Sequence, residues 1–146
     1  IIIAKPINVV EPHIKSMTLK TLANHIVSLS QWPGIIATTH YLDIAENPLK
    51  PKEIKNTEDL LAALEDAVRH SINGLQSVSD EDLRVNWILK RGDLVIISMP
   101  REEAIRTAGL NHMYHHRGQL SVYLRLLDIP VPGIYGPSFD DKHQLK

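Results

Sequence analysis

The first regular pattern of apolar residues follows a proline-containing leader, residues 1–16, which we expect to be irregular. From Thr18 onward, apolar residues recur at spacings of three and four: Leu19, Leu22, Ile26 and Leu29. This spacing predicts a helix with one buried face, and Ser16 and Thr18 are suited to cap it. Pro33-Gly34 is then expected to interrupt the helical pattern. Residues 35–45, IIATTHYLDIA, fit either a helical continuation or a short strand.

Two longer helices are predicted further along the chain. Asn56 is a suitable N-cap, and two acidic residues follow it in the first turn, where the helix dipole favours anions. This helix is expected to end near Leu75. Residues 101–128 contain no proline and predict the longest helix, with Pro100 at its first position.

The pattern between these helices is different. Apolar runs in residues 87–97 flank Arg91–Asp93, which predicts a small β-hairpin with glycine in its turn. A short helical turn is expected at 79–82, and residues 129–146 are expected to be a C-terminal loop or tail. Long helices with modest connections favour an all-α antiparallel bundle, in a single domain over residues 1–146.

Composition narrows the chemistry that such a bundle could carry. The 146 residues include 16 Lys+Arg, 17 Asp+Glu and eight histidines, and no cysteine. Without cysteine the chain has no disulfide, no thiolate zinc site, no iron–sulfur cluster and no cysteine nucleophile. A net charge of −1 disfavours nucleic acid as a partner. With no membrane-length apolar run and no visible signal peptide, the cytoplasm is the expected location.

Two histidines lie in the longest predicted helix. His112 and His116 are four residues apart, so their side chains lie on one face and could grip one ion. That face is otherwise apolar: Ile105, Ala108, Leu120 and Tyr123. The alternative is a pair of hydrogen-bonded, partly exposed histidines. Met113 stands where the zinc peptidase motif H-E-x-x-H has its glutamate, which disfavours peptidase chemistry.

The best third ligand is His25, because it lies in the first predicted helix beside the apolar face. The alternative is an interior histidine satisfied by hydrogen bonds. His115 is rotated by about 100° from His116 and is expected to flank the site. The other histidines are weaker candidates: His13, His40, His70 and His143. Local acceptors that could orient the ligands are Asn24, Asn111 and Gln119.

Longer motifs surround these histidines. Residues 110–138 read LNHMYHHRGQLSVYLRLLDIPVPGIYGPS, and residues 16–27 read SMTLKTLANHIV, followed by Gln31-Trp32-Pro33. Both motifs resemble the DinB/YfiT-like metalloenzyme family, which is distinct from the DNA polymerase that shares the DinB name. The resemblance runs from about Pro12 to Ser138.

The resemblance implies a four-helix bundle with a divalent ion held by three histidines, which here are His25, His112 and His116. Zinc or nickel is expected first, with iron and cobalt as alternatives. Relatives include thiol-dependent transferases and isomerases, and the family is often dimeric. The resemblance therefore implies a metal-dependent hydrolase or thiol S-transferase-like enzyme acting on a small molecule, with a small thiol among the candidates, and a homodimer. The alternative is a non-catalytic stress-response bundle stapled by its metal.

The chain departs from the family pattern in two places. The family normally has a helix before the segment matching residues 12–18, where this chain has a short leader rich in Ile and Val. The first helix of the bundle is therefore expected to be absent or replaced. Phe139 stands where a small residue is expected. Neither departure involves the three histidines.

Overall fold

The protein, analysed as a computed structural model, is mostly helical with one small sheet. The structure describes residues 11–47 and 54–144; the first ten residues of the predicted leader lie outside these, and residues 11–16 form bends and turns. The elements in chain order are α1 Leu19–Ser30, α2 Trp32–Thr38, β1 Tyr41–Asp43, α3 Thr57–Gln76, α4 Asp80–Leu83, β2 Asn86–Arg91, β3 Leu94–Pro100, α5 Arg101–Ala104, a π-helical segment Ile105–Asn111, α6 His112–Leu126 and α7 Phe139–Gln144.

The start of α1 follows the prediction, and the expected interruption after it lies two residues earlier than Pro33. Thr18 Oγ1 accepts a hydrogen bond from the Thr21 amide at 3.2 Å, which caps the helix. Pro33 and Gly34 lie inside α2 rather than breaking the helical structure. The break between the two helices falls at Gln31, just before this pair, because a proline in the first turn of a helix has no helical hydrogen bond to lose.

The close crossing of α2 and α3 depends on glycine. A Cβ atom on Gly74 would lie 2.8 Å from the Cα atom of Gly34, so a larger residue would push the backbones apart. Ser71 joins the two helices, because its hydroxyl accepts from the Gly34 amide at 3.2 Å and donates to the Ser30 carbonyl at 2.7 Å. The contact therefore fixes α3 against the junction of α1 and α2.

The predicted cap at Asn56 and the predicted helical turn at 79–82 are both confirmed. Asn56 Oδ1 accepts from the Asp59 amide at 2.7 Å and caps α3. Ser79 and Asp82 cap α4 reciprocally: the serine hydroxyl accepts from the Asp82 amide, and Asp82 Oδ2 accepts from the Ser79 amide. The hydrogen bonds that the amide and then the hydroxyl of Ser79 donate to Asp82 Oδ2 hold the pKa of this carboxyl below its usual value.

The predicted hairpin is confirmed, and it belongs to a larger sheet. β2 and β3 are antiparallel around Gly92, which has a φ of 58°. β1 adds a third strand parallel to β2. The ambiguous segment over residues 35–45 thus holds both the end of α2 and a strand.

Asp43 ties β1 to the turn of the hairpin. Its side chain is 1% exposed, and Oδ1 accepts from the amides of Gly92 at 3.0 Å and Ala45 at 2.9 Å. Lys90 Nζ lies 3.4 Å from Oδ2. The two backbone hydrogen bonds, and then Lys90, hold the pKa of this carboxyl below its usual value.

The structure contains two compact units, and the larger covers residues 23–115. Its core surrounds Trp87, which is fully buried and donates from Nε1 to Thr39 Oγ1 at 3.0 Å. Arg101 is buried beside it and donates to the carbonyls of Thr39 and Asp82. Pro100 is the N-cap of α5 rather than its first residue, because it still pairs in β3.

The smaller unit contains the described parts of residues 1–22 and 116–146. Within it, Arg125 pairs with Asp140 at 2.7 Å. Asp141 Oδ2 accepts from the amides of Gly133 and Ser138, each at 2.7 Å, which holds the pKa of this carboxyl low. The prediction of a tail without regular structure was wrong, because α7 lies within it.

Candidate metal site

The three histidines singled out in the sequence lie on two helices. His25 is in the middle of α1, His112 is the first residue of α6, and His116 follows one turn later on α6. The rings of His25 and His112 meet edge to face, with centroids 5.2 Å apart. His116 is buried, and the other two are half-buried.

One ligand nitrogen from each of these histidines can be chosen so that all three lie within 4.8 Å of one another. Two nitrogens bound to one zinc ion lie at most about 4.2 Å apart, twice the Zn–N distance of about 2.1 Å. The three donors therefore lie close to the separation that one bound ion requires. Imidazole nitrogen is a donor that zinc, nickel, iron and cobalt all accept, so the residues fit a divalent ion.

Gln119 orients one of the three rings. His116 Nδ1 and Gln119 Oε1 are 2.8 Å apart, which suits a proton on Nδ1 donated to the amide oxygen. That tautomer leaves the lone pair of Nε2 for a metal, which is the usual arrangement around a ligating histidine. The interaction was among those expected, because residues three apart on a helix are neighbours. Asn24, another expected acceptor, makes no such hydrogen bond among the described residues: its Oδ1 is buried without a partner.

The remaining histidines lie outside the cluster. His115 is exposed on α6, as its rotation from His116 predicts. His13, His40 and His70 are also exposed. His13 Nδ1 accepts from the Lys15 amide, and His40 Nδ1 lies 3.4 Å from Arg101 Nη2. The side chain of His143 falls outside the described residues.

The π-helical segment immediately before His112 is a feature that the sequence pattern missed. Ile105 and Ala108 of this segment are buried in the core. Gly109 faces the ring of Pro33: a Cβ atom added to Gly109 would lie 3.4 Å from Pro33 Cγ. A π turn absorbs about one extra residue and is frequent near functional sites. Apolar residues at spacings of three and four continue through it, so the sequence pattern predicted an unbroken α-helix.

Two further residues named in the sequence have structural contacts. Met113, at the position of the zinc peptidase glutamate, lies 3.6 Å from the Ser30 hydroxyl and offers no carboxylate. Tyr123 is buried, and its hydroxyl donates to the Met17 carbonyl at 2.7 Å. This proton is therefore engaged within the fold, and the burial of Tyr123 agrees with its expected place on the apolar face of the helix.

The sequence model of the DinB family matches residues 10–145, nearly the whole chain. The chain belongs to the DinB family. The match includes both helices that carry the three histidines.

Comparison with known proteins gives the fold further support. A DinB-like protein of Bacillus subtilis, YjoA, has a crystal structure similar to that of this DinB-family chain, with a TM-score of 0.62 and 18% identity over 92% of this chain and 85% of that one. At that identity the likeness supports the fold alone. The uncharacterized protein YrdA of Bacillus subtilis (strain 168) is 47% identical over 32 residues, which is 22% of this chain and 19% of that protein.

Proposed function

We propose that this DinB-family protein binds one divalent metal ion through His25, His112 and His116. The observation that carries the proposal is the convergence of three imidazole nitrogens within 4.8 Å. Zinc or nickel suits this donor set best, with iron and cobalt as alternatives. His116 would bind through Nε2, because Gln119 engages its Nδ1.

The proposed reaction is hydrolysis or thiol S-transfer on a small molecule. An ion held by three neutral imidazoles keeps its full positive charge and supplies a bound water with a pKa near 7 or a site for a small thiol. The chain contributes the half-buried setting of His25 and His112 and the fixed tautomer of His116. A non-catalytic stress-response role is the second candidate, because the same ion would tie α1 to α6 and so stabilise the fold.

The remaining proposals concern the assembly and its setting. DinB membership and the similarity to YjoA support an antiparallel four-helix bundle. We propose that the protein forms a homodimer, takes a small molecule and not nucleic acid as its partner, and acts in the cytoplasm. Within the described residues, none of the helices combines the length and the apolar character that a membrane span requires.

Elemental analysis of purified protein tests the metal site directly. We expect about one metal ion per chain in the wild type, and a loss of most of it in His25→Ala and His116→Ala, because each removes one of three ligands. His115→Ala is the matched control, since His115 is exposed on the same helix and lies outside the cluster. Full metal retention in either ligand variant would remove that residue from the site.

Spectroscopy on the cobalt-substituted protein distinguishes a metal-dependent enzyme from a non-catalytic protein whose metal ion only stabilises the fold. If the ion keeps a position open to exchange, a small thiol such as cysteamine will change the visible absorption of bound Co²⁺. If neither thiols nor anions alter the spectrum and the bound ion raises the melting temperature, the non-catalytic role, in which the ion stabilises the fold, is favoured.

A further inference from the structure

The long helix α3 carries two different apolar faces. Its buried face packs on α2 through small side chains: Ala63, Ala67, Ser71 and Gly74. A second set of larger residues lies about 100° around the helix. We call this set the α3 stripe; its members are Leu61, Leu64, Val68, Ile72 and Leu75. All except the half-buried Leu64 are exposed, and Val68 is 42% exposed.

The α3 stripe has the same spacing read in either direction. Counted from Val68, its residues lie at four and seven positions on each side. A two-fold axis through Val68 would pair this helix with an antiparallel copy of itself. Leu61 would then face Leu75 of the second copy, Leu64 would face Ile72, and Val68 would face Val68. Such self-matching is what an isologous interface requires.

The charged residues beside the α3 stripe would also be complementary in an antiparallel pair of these helices. Glu65 and Arg69 lie on the same side of the stripe, one turn apart. In the antiparallel pair, the flank of one helix meets the same flank of the other. Glu65 then lies within about 3 Å, measured along the axis, of Arg69 in the second copy. Each interface holds two such pairs of opposite charge. In a parallel pairing, the Glu65–Arg69 flank of one helix would face the opposite flank of the other, and these pairs would not form.

We infer that the α3 stripe is the interface of the proposed homodimer, with α3 of two copies packed antiparallel about Val68. The two-fold spacing and the Glu65–Arg69 complementarity favour a second copy over an unrelated partner, because both features are self-complementary. One helix from each copy makes a small interface, so the dissociation constant is expected to be roughly micromolar. The inference does not involve the metal ligands, so metal content is an independent measurement.

Disulfide trapping tests the pairing, since the chain has no cysteine of its own. Val68→Cys places a thiol on the two-fold axis, where it can reach its own copy, so mild oxidation should give a covalent dimer in high yield. A mixture of Leu61→Cys and Leu75→Cys should cross-link to each other more than either does to itself. Ala62→Cys is the control, because Ala62 is exposed on the same helix but outside the stripe.

Sedimentation across a micromolar concentration series gives the second measurement. Val68→Glu places two like charges against each other at the axis and should weaken dimerisation by more than about tenfold, while Ala62→Glu should leave it unchanged. Glu65→Arg should weaken it, and Glu65→Arg with Arg69→Glu should restore it. A wild-type dimer that survives Val68→Glu and gives no Val68→Cys cross-link would place the interface elsewhere. A monomer at all concentrations would overturn the homodimer as well.

Discussion

At the scale of single residues, the candidate metal site depends on which nitrogen of each imidazole has a lone pair available to bind the ion. The Gln119 amide decides this for His116 by accepting at Nδ1. This pair could be predicted from sequence, because a spacing of three on a helix is a local constraint. The proximity of His25 to α6 could not, because His25 lies 87 positions before His112 in the chain. Helix geometry made His25 only a candidate third ligand. The family motif then pointed to it, and the structure places it close to His112 and His116.

The role of Gln119 gives a prediction at this scale. Gln119→Leu removes the acceptor at His116 Nδ1, so metal affinity should fall by about 10- to 100-fold, the usual effect of losing such a partner. Gln119→Glu keeps an acceptor at the same reach and should retain most of the affinity. A competition titration against a chromophoric chelator measures both. Equal affinity in wild type and Gln119→Leu would show that the hydrogen bond does not orient the ligand.

At the scale of elements, some features depend only on residues close in sequence, and others depend on contacts between residues far apart in the chain. The caps at Asn56 and Ser79 were predictable because each forms within one turn. The same logic would have found α7: the Ser138 hydroxyl accepts from the Asp141 amide, and Asp141 accepts from the Ser138 amide. That is a capping box, S-x-x-D, in a segment whose glycines and prolines had suggested a loop.

The strand β1 and the π-helical segment could not be found from local pattern. The three residues of β1 are a strand because they pair with β2, a segment far along the chain. The π-helical segment has the same apolar spacing as an α-helix over its length, and within it Gly109 lies against Pro33 of α2. Tertiary packing decides both features.

The glycine contact between α2 and α3 gives a prediction for stability. Gly74→Ala introduces a Cβ atom 2.8 Å from the Gly34 Cα, so the helices must separate. We expect the free energy of unfolding to fall by about 1–3 kcal/mol, measured by urea denaturation. Gly118→Ala is the control: it lies within α6, a Cβ there meets no heavy atom within 4 Å, and alanine should be neutral or stabilising by up to about 1 kcal/mol. A similar result for both variants would argue against the tight crossing.

At the scale of the whole molecule, acid sensitivity reflects several carboxylates that the folded state holds ionised. Asp43, Asp82 and Asp141 each accept backbone hydrogen bonds, and the pKa of each is lowered. A lowered pKa stabilises the folded state fully above the unfolded value, about 4 for aspartate, and this stabilisation is lost as pH falls through the folded pKa. The metal-free protein should therefore keep its carboxylate contribution at neutral pH and lose it below about pH 4.

Asp43→Asn tests this reasoning on the most buried of the three. The variant should be less stable at pH 7, because an amide is a weaker acceptor for the Gly92 and Ala45 amides and does not pair with Lys90. Its stability should also change less than that of the wild type between about pH 5 and pH 2. Thermal unfolding of the metal-free proteins across this range is the measurement. Parallel curves for the two proteins would mean that Asp43 titrates alike in the folded and unfolded states.

The tie between Asp43 and Gly92 also has a consequence for the order of folding. It joins residues 49 positions apart, whereas β2 and β3 are joined by a turn around Gly92. Closing a long loop costs more entropy than closing a hairpin, so the hairpin should form first and β1 should dock onto it late. In a pulsed hydrogen-exchange experiment, the Gly92 amide should gain protection together with β1, after the cross-strand amides of the hairpin that contains it.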